Sequence, residues 1–472
     1  MESFKDYNFS DEINSALDAL KYHEPTKTQQ ACLHALLEGK DVAVEAQTGS
    51  GKTLAFGLTI LQKLLDSQAH SQNEQAADSS HPHALVLCPT RELAEQVTYQ
   101  LQLLARRIAN TKILAVFGGV AIAPQLSSLK HPPAVIVGTP GRLMDIAMQG
   151  RLSFKGLKTL VLDEADRMLD MGFEDQVDWL LKAINDQAQG VQTLLFSATF
   201  GGNIQSLSAQ YQKDAQTIQV DDGRTHQHIE QTAYKVLANR RAYAVAALLS
   251  EHQPESAIVF CQRKQEVVEL HQQLQEDGFG VVQLQGDMEQ FERSNAVLLF
   301  SADCANVLVA TDVAARGLDI PSVDLVINYS ISDDLDTHTH RVGRTGRAGL
   351  KGKAITLIDD TDETKLIGFN AQLPSDIPVK SGLALRFHKN RIREPQYVGV
   401  QIDAGKKQKI SKGDILGALA KNAHVPAKDI GKIHVSSHRS FAAIKIRSVK
   451  RTLLMFRESK VKGKRLRAKK LV

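Results

Sequence analysis

Cysteine is scarce in this chain, and its scarcity excludes two classes of protein. The four cysteines among 472 residues, Cys32, Cys88, Cys261 and Cys304, lie far apart within apolar or strand-like stretches. They offer neither the close spacing of a zinc site nor the density of a disulfide framework, and a reducing cytoplasm suits them best. Long hydrophobic runs are missing as well: no stretch reaches the ~18 apolar residues that a membrane span needs. Met1 opens onto a polar segment without the apolar core of a signal peptide. The expectation is therefore a cytoplasmic, globular protein with no membrane partner. At 472 residues it is long enough for about three domains, each able to bury a core.

Positive charge is lacking over most of the chain. The formal net charge is +4, yet from Gln396 onward 20 Lys and Arg face 4 Asp and Glu, a net of +16. The preceding residues hold the other 37 basic and 49 acidic groups, a net of −12. A partner that needs positive charge therefore meets the tail, and so basic a block reads as a nucleic-acid footprint rather than a solvated face.

What is present begins with the octamer Ala46-Gln47-Thr48-Gly49-Ser50-Gly51-Lys52-Thr53. It lies between an apolar run, Val42-Ala43-Val44, and a helical pattern from Leu54. In a strand–loop–helix of this kind, glycines let backbone N–H groups converge on phosphate oxygens, and the helix N-terminus adds a partial positive charge. Lys52 supplies a full charge for the β- and γ-phosphates of a nucleotide, and the Thr53 hydroxyl can ligate Mg²⁺. The first glycine of the usual pattern is Ala46 here. Taken alone, the octamer also fits a glycine-rich turn carrying a surface lysine.

Upstream, Phe4 to Leu37 reads as two amphipathic helical stretches broken at Pro25, with Thr26 capping the second and Gln29 about one turn in. A glutamine amide carries the donors and acceptor that match an adenine edge. Downstream, Ser67 to His83 is polar and without period, which predicts an exposed loop. Apolar runs then recur, each ending at a polar or Gly/Pro cluster: Pro89-Thr90-Arg91, Gly118-Gly119, Thr139-Pro140-Gly141-Arg142, Asp163-Glu164-Ala165-Asp166 and Ser197-Ala198-Thr199. Helical patterns between them predict a parallel sheet of βα units, with functional groups at the carboxyl ends of the strands. Asp163 ends a buried run, as a carboxylate that holds Mg²⁺ must, and Glu164 is assigned the general base. In isolation the pair fits a helix-capping acidic loop equally well.

Residues 221–228 read as a linker to a second α/β unit, with strands predicted at Ala257, Val281, Val307, Leu325 and Ala354. This unit has no phosphate loop. It has Arg316, Arg341, Arg344 and Arg347, which the pattern places in Gly-containing turns suited to reaching a nucleotide held elsewhere.

Residues 1 to 365 resemble the DEAD-box ATP-dependent RNA helicases, motif after motif and in the family's order. Phe4 with Tyr22, Pro25, Thr26 and Gln29 is similar to the Q motif, AQTGSGKT at 46–53 to motif I, DEAD at 163–166 to motif II and SAT at 197–199 to motif III. IVFC at 258–261, QGDMEQ at 285–290, ATDVAARGLD at 310–319 and HRVGRTGRAG at 340–349 resemble motifs IV to VI. The resemblance implies two tandem RecA-like parallel-sheet domains acting with ATP, Mg²⁺ and RNA. It implies that Gln29 reads adenine with Phe4 near the base, and that Tyr22, Thr26 and residues 46–53 complete the nucleotide site. By the same resemblance Asp319 contacts the ribose, and Arg344 and Arg347 act as arginine fingers. The same resemblance implies that Pro89, Thr90, Arg91, Gly119, Thr139, Arg142, Thr311 and Arg316 contact RNA. The chain departs from the pattern at Lys21 (usually Gly), Thr28 (usually aliphatic), Ser330-Ile331-Ser332 (usually Asp-x-Pro) and His338 (usually a Tyr packed beside the nucleotide cleft).

Beyond Gln396 the predicted order is βαββαβ, with strands over 397–404, 432–436, 441–446 and 465–471 and helices over 414–420 and 449–457. That is the order of an RRM, although its aromatic-rich signatures are missing, so base stacking on the sheet is not expected. Residues 405–419, 430–435 and 461–472 resemble the C-terminal domain of the DbpA subfamily, which binds a hairpin of large-subunit ribosomal RNA. Lys406, Lys407, Arg465 and Arg467 are its expected RNA contacts. The whole is thus read as an α/β protein with RecA-like domains at 1–220 and 230–370 and a tethered RRM-like α+β domain at 396–472. The expected protein is a monomeric RNA helicase of ribosome assembly. The rival readings are an ATP-gated RNA clamp that does not unwind, and a DNA helicase.

Overall fold

Short apolar runs buried on both faces build the first sheet. The computed structural model describes residues 3–46, 49–71, 81–220, 229–315, 322–346 and 351–471. Strands β1 (Val42–Glu45), β2 (Ala84–Leu87), β3 (Ile113–Val116), β4 (Val135–Gly138), β5 (Thr159–Asp163), β6 (Gln192–Ser197) and β7 (Gln216–Gln219) pair in the order β3-β4-β2-β5-β6-β1-β7. All their pairings are parallel. Because side chains alternate along a strand, each run feeds two cores. Val42, Val44, Val86, Val137, Val161, Leu194 and Phe196 meet Leu17, Leu33, Phe56, Ile60 and Leu101 from the helices Asp11–Leu20, Lys27–Leu37, Lys52–Ser71 and Arg91–Leu104. The intervening Ala43, Leu85, Ile136, Leu160, Leu162 and Leu195 meet Leu143, Ile146, Leu180 and Ile184 from Pro140–Met148 and Glu174–Gln187. Parallel strands buried this way send every β-to-α turn to the same sheet edge.

The expected loop from Ser67 begins later than the sequence predicts. Residues 67–71 continue the helix Lys52–Ser71, where the Ser67 hydroxyl donates to Lys63 O at 2.8 Å. A serine bonded back to the preceding turn satisfies its hydroxyl without leaving the helix. Residues 72–80, the remainder of that loop before His81, and the linker 221–228 lie outside the described residues.

Strands β8 (Ile229–Lys235), β9 (Ala257–Cys261), β10 (Val281–Leu284), β11 (Val307–Thr311), β12 (Leu325–Asn328), β13 (Gly352–Ile358) and β14 (Val379–Ser381) form a second parallel sheet, ordered β10-β11-β9-β12-β13-β8-β14. One reading of this sheet is corrected. Arg341 does not sit in a turn facing outward. It lies on the helix Leu335–Val342, 2% exposed, with Nε and Nη2 each 2.7 Å from Asp312 and Nη1 donating to Ser330 O. A guanidinium fork fully engaged by a carboxylate and a carbonyl ties β11 to β12. His338 is also interior, 1% exposed, with Nε2 3.0 Å from Gln231 Oε1 and its ring against Phe369.

The third sheet is antiparallel: β15 (Val398–Ile402), β16 (Ile430–Val435), β17 (Ser440–Ile444) and, after a two-stranded hairpin of β18 (Lys460–Val461) and β19 (Lys464–Arg465), β20 (Ala468–Lys470). The order β16-β17-β15-β20 is that of an RRM sheet. Arg465 therefore belongs to the hairpin and not to the last sheet strand. Lys462 and Gly463 both have positive φ, the turn that closes a two-residue hairpin and that a run-based reading overlooks.

The first sheet belongs to one compact unit and the other two sheets to a second. Within the second unit the tail packs against its neighbour instead of hanging on a tether. Leu385 is buried in the core of the second sheet, and Phe387 lies against Phe279 there. Tyr397 N donates to Asp303 O, Lys432 Nζ to Ser301 Oγ, and the Arg439 guanidinium stacks 4.2 Å above the Phe291 ring. On β15 the face away from the domain's own helices is closed: a Cβ at Gly399 would lie 2.4 Å from Leu299 Cδ2, and Phe441 beside it is 3% exposed. Stacking bases there would require displacing Leu299.

Two departures near the N-terminus weaken the fold slightly. Lys21 ends the helix Asp11–Leu20 in the left-handed region at φ 61, the place where glycine costs least. Thr28 is 1% exposed and its hydroxyl has no partner among the described residues. Lys21→Gly and Thr28→Val should each stabilise by about 1 kcal/mol, roughly 2–4 °C for a domain of this size, read from thermal melts. An unchanged melting temperature in the double variant refutes this.

Candidate functional site

The carboxyl edge of the first sheet gathers most of the expected residues. Thr26 caps the helix Lys27–Leu37: its hydroxyl accepts from Gln29 N, and Gln29 Oε1 accepts from Thr26 N at 2.8 Å. Both side chains then reach the phosphate loop. Thr26 Oγ1 donates to Ser50 O at 2.7 Å and Gln29 Nε2 to Gly51 O at 2.9 Å. Gly51 has φ +91, and a Cβ there would sit 2.4 Å from Gln29 Nε2, so this contact excludes every larger residue. Gln29 is 2% exposed and keeps one amide N–H and one carbonyl lone pair uncommitted. The sequence reading expects Gln29 at an adenine edge; its bond to the phosphate loop is not part of that expectation.

Lys52 is buried and donates from Nζ to Ala46 O at 2.6 Å, while Ala46 N donates to Ser197 O on β6. Thr53 follows in the first turn of its helix, half-buried. Gly49 and Ser50 lie within the described loop; Gln47 and Thr48 lie outside the described residues. Phe4 is 3% exposed within the core of this domain, next to Tyr7 and Phe9 in sequence, whereas Tyr22 is exposed.

Asp163 ends β5, 3% exposed. Burial, together with the neighbouring Glu164, pushes its carboxyl up to about 7, partly offset by the Lys52 ammonium. Loop lysine and strand-end carboxylate thus feel each other across the sheet edge. Glu164 follows in the left-handed region, φ 54 and ψ 51, and its Oε2 accepts from Arg167 Nη1 at 3.0 Å. Asp166 accepts from Ala198 N at 3.2 Å, joining the DEAD and SAT segments. Neither Arg167 nor Asp166 is singled out by sequence reasoning, although Arg167 stands three residues beyond the expected base, one helical turn away.

Further along the same edge, the ends of β2, β3 and β4 converge. Thr90 caps the helix Arg91–Leu104, with Pro89 buried before it. The Arg91 guanidinium covers Gly119, where φ is +71 and a Cβ would lie 1.7 Å from Nη1. Arg142 Nη2 donates to Val120 O at 3.2 Å. Thr139 precedes the helix Pro140–Met148 without a side-chain cap bond, which leaves backbone donors for an anionic oxygen.

In the second unit Thr311 ends β11, buried, and Arg344 is 5% exposed. Arg316, Asp319 and Arg347 lie outside the described residues. On the third sheet's domain Lys406 and Lys407 occupy an exposed turn, and Arg465 and Arg467 are exposed. Hairpin and turn are neighbours, because Lys464 Nζ donates to Gln408 O and Lys462 Nζ to Lys409 O. Lys406 and Lys407 therefore lie beside the hairpin that carries Arg465.

No helix among the described residues is long and apolar enough to cross a membrane, and no group of three or more His, Cys, Asp or Glu among them could hold a metal alone.

Comparison with known proteins gives three consecutive family matches: DEAD/DEAH box helicase over residues 26–207, helicase conserved C-terminal domain over 240–349, and DbpA RNA binding domain over 400–470. The chain is 41% identical over 466 residues to the ATP-dependent RNA helicase DbpA of Escherichia coli (strain K12), covering 96% of each. It is 36% identical over 491 residues to the ATP-dependent RNA helicase DbpA of Bacillus subtilis (strain 168), covering 100% of this chain and 99% of the relative. Among solved structures, S. cerevisiae Dbp5 bound to RNA and ADP BeF3 aligns with a TM-score of 0.68 and 27% identity over 81% of this chain and 96% of that one. Mss116p bound to ssRNA and AMP-PNP aligns with a TM-score of 0.70 and 25% identity, covering 80% and 78%.

Proposed function

Because the chain belongs to the DEAD-box ATP-dependent RNA helicases of the DbpA type, we propose that it unwinds or remodels short RNA duplexes beside a hairpin of large-subunit, 23S-type ribosomal RNA during ribosome assembly. It acts as a cytoplasmic monomer whose C-terminal domain selects the RNA. The observation that carries this reading is the carboxyl edge of the first sheet. There a phosphate loop and a buried Asp-Glu pair share one edge with the Arg91–Gly119 and Thr139–Arg142 clusters, in a chain whose tail carries a net +16.

In this reading Lys52 and the loop N–H groups hold the β- and γ-phosphates, and Gln29 offers its remaining donor and acceptor to adenine. Glu164 takes a proton from the attacking water. Arg344 and Arg347 stabilise the transferring phosphoryl group, and Asp319 contacts the ribose. Mg²⁺ fits the donor set, since a buried carboxylate pushed up to about 7 regains its charge beside a cation. Asp163 and the Thr53 hydroxyl would hold it, and when bound it neutralises charge on the phosphates.

ATP hydrolysis and strand displacement on matched RNA and DNA duplexes test the proposal together. Hydrolysis should be stimulated by RNA alone, because the 2′-hydroxyl tells RNA from DNA, and displacement should require ATP. Stimulation without displacement would favour an RNA clamp, and equal stimulation by DNA a DNA helicase.

A further inference from the structure

Arg167 is the least expected side chain of the site. It lies on the short helix Ala165–Asp170, 1% exposed, and is one of the two largest fully buried side chains among the described residues. Its Nη1 donates to Glu164 Oε2 at 3.0 Å, while Nε and Nη2 have no partner among the described residues. A guanidinium kept only for stability would have its donors satisfied, because each buried N–H without an acceptor costs free energy. An apolar side chain of similar length would avoid that cost. Arg167 stands where it does at the expense of stability, and its one bond goes to the group read as the general base.

Glu164 needs such a partner. Its backbone occupies the left-handed region, which is unfavourable for a residue with a Cβ, and its side chain is 9% exposed. Without a counter-charge, nothing would keep the Glu164 carboxylate aimed in one direction. We infer that Arg167 is a positioning residue: it supplies the counter-charge of Glu164 and fixes the carboxylate orientation from which a water proton is taken. This rests on the reading of Glu164 as the base.

A double-mutant cycle on the full chain tests it, using RNA-stimulated ATP hydrolysis, binding of a fluorescent ATP analogue and thermal melting. Arg167→Met should lower kcat at least ~10-fold, the scale of a misaligned catalytic group, with KM for ATP and analogue affinity changed less than about twofold, too little to account for that loss. Arg167→Lys, which keeps the charge, should recover part of the loss. In a Glu164→Gln background Arg167→Met should cost nothing further, since there is no base left to position. An unchanged kcat in Arg167→Met, an equal loss in both backgrounds, or a loss carried by KM and analogue affinity overturns the inference. Should Arg167→Met fail to fold, Arg167→Lys takes its place in the cycle. It should then show a smaller loss that vanishes beside Glu164→Gln, and a loss that persists there overturns the inference as well. If Glu164→Gln alone keeps normal turnover, it is the base assignment that fails.

Discussion

Glu164→Gln should leave the protein folded and able to bind ATP and RNA, and should lower kcat by at least ~10², the scale of general-base loss. The surroundings of Glu164 make glutamine the informative replacement. Its amide oxygen can still accept from Arg167 Nη1, so the bond that spans 3.0 Å in the wild type survives. What is lost is a group that can take a proton. Glu164→Ala would be ambiguous, because it strands the Arg167 cation in the interior, and breaking a buried pair from one side destabilises by about 3–5 kcal/mol. Steady-state hydrolysis with saturating RNA, beside binding of a fluorescent ATP analogue, separates the two effects. Near-normal turnover by Glu164→Gln would remove Glu164 from the base role and leave the position of Arg167 unexplained.

The fold was legible where periodicity and position coincide. Short continuous apolar runs that stop at polar clusters, such as Leu160-Val161-Leu162, fit strands buried on both faces, and parallel pairing sends their polar successors to one edge. Thr26 and Gln29 were legible for a second reason: a capping threonine followed three residues later by glutamine is a local device, complete within one turn. Contacts that depend on tertiary placement were not. Arg341 reads as one more arginine in a glycine-rich motif, yet Asp312, 29 residues earlier in sequence, turns it into a clamp between strands. His338 became interior through Gln231 and Phe369, which lie on either side of it in sequence. Arg167 carries no motif-independent signal beyond its spacing from Glu164, and burial is what gives it meaning. In the tail, strand order followed from the pattern, but the covered face of β15 depends on Leu299, in another domain.

That covered face decides how the division of charge should be tested. The net of −12 before Gln396 gains little from long-range attraction to RNA, whereas the +16 beyond it is steered to RNA. Removing residues 396–472 would probe this, but it would also uncover Leu299 and Phe291, which pack against the tail. Reversing charge at exposed positions avoids that fault. Lys406, Lys407, Arg465 and Arg467 are all exposed, whereas Lys462 and Lys464 donate to backbone carbonyls and are best left alone. Replacing the first four by Glu should raise the RNA concentration for half-maximal stimulation of ATP hydrolysis by ~10²-fold on the ribosomal RNA hairpin. It should also flatten the dependence of log affinity on log salt by roughly one unit for each phosphate no longer neutralised. The maximal rate at saturating RNA should stay as in the wild type, because Lys52, Asp163 and Glu164 lie in the other compact unit. On an unrelated RNA of equal length the half-saturation point should move less, if the tail selects one hairpin as proposed. If wild type and variant share the same half-saturation point on both RNAs, the tail does not select the substrate. The ribosomal RNA target would then be withdrawn, while the ATP-dependent helicase core would stand.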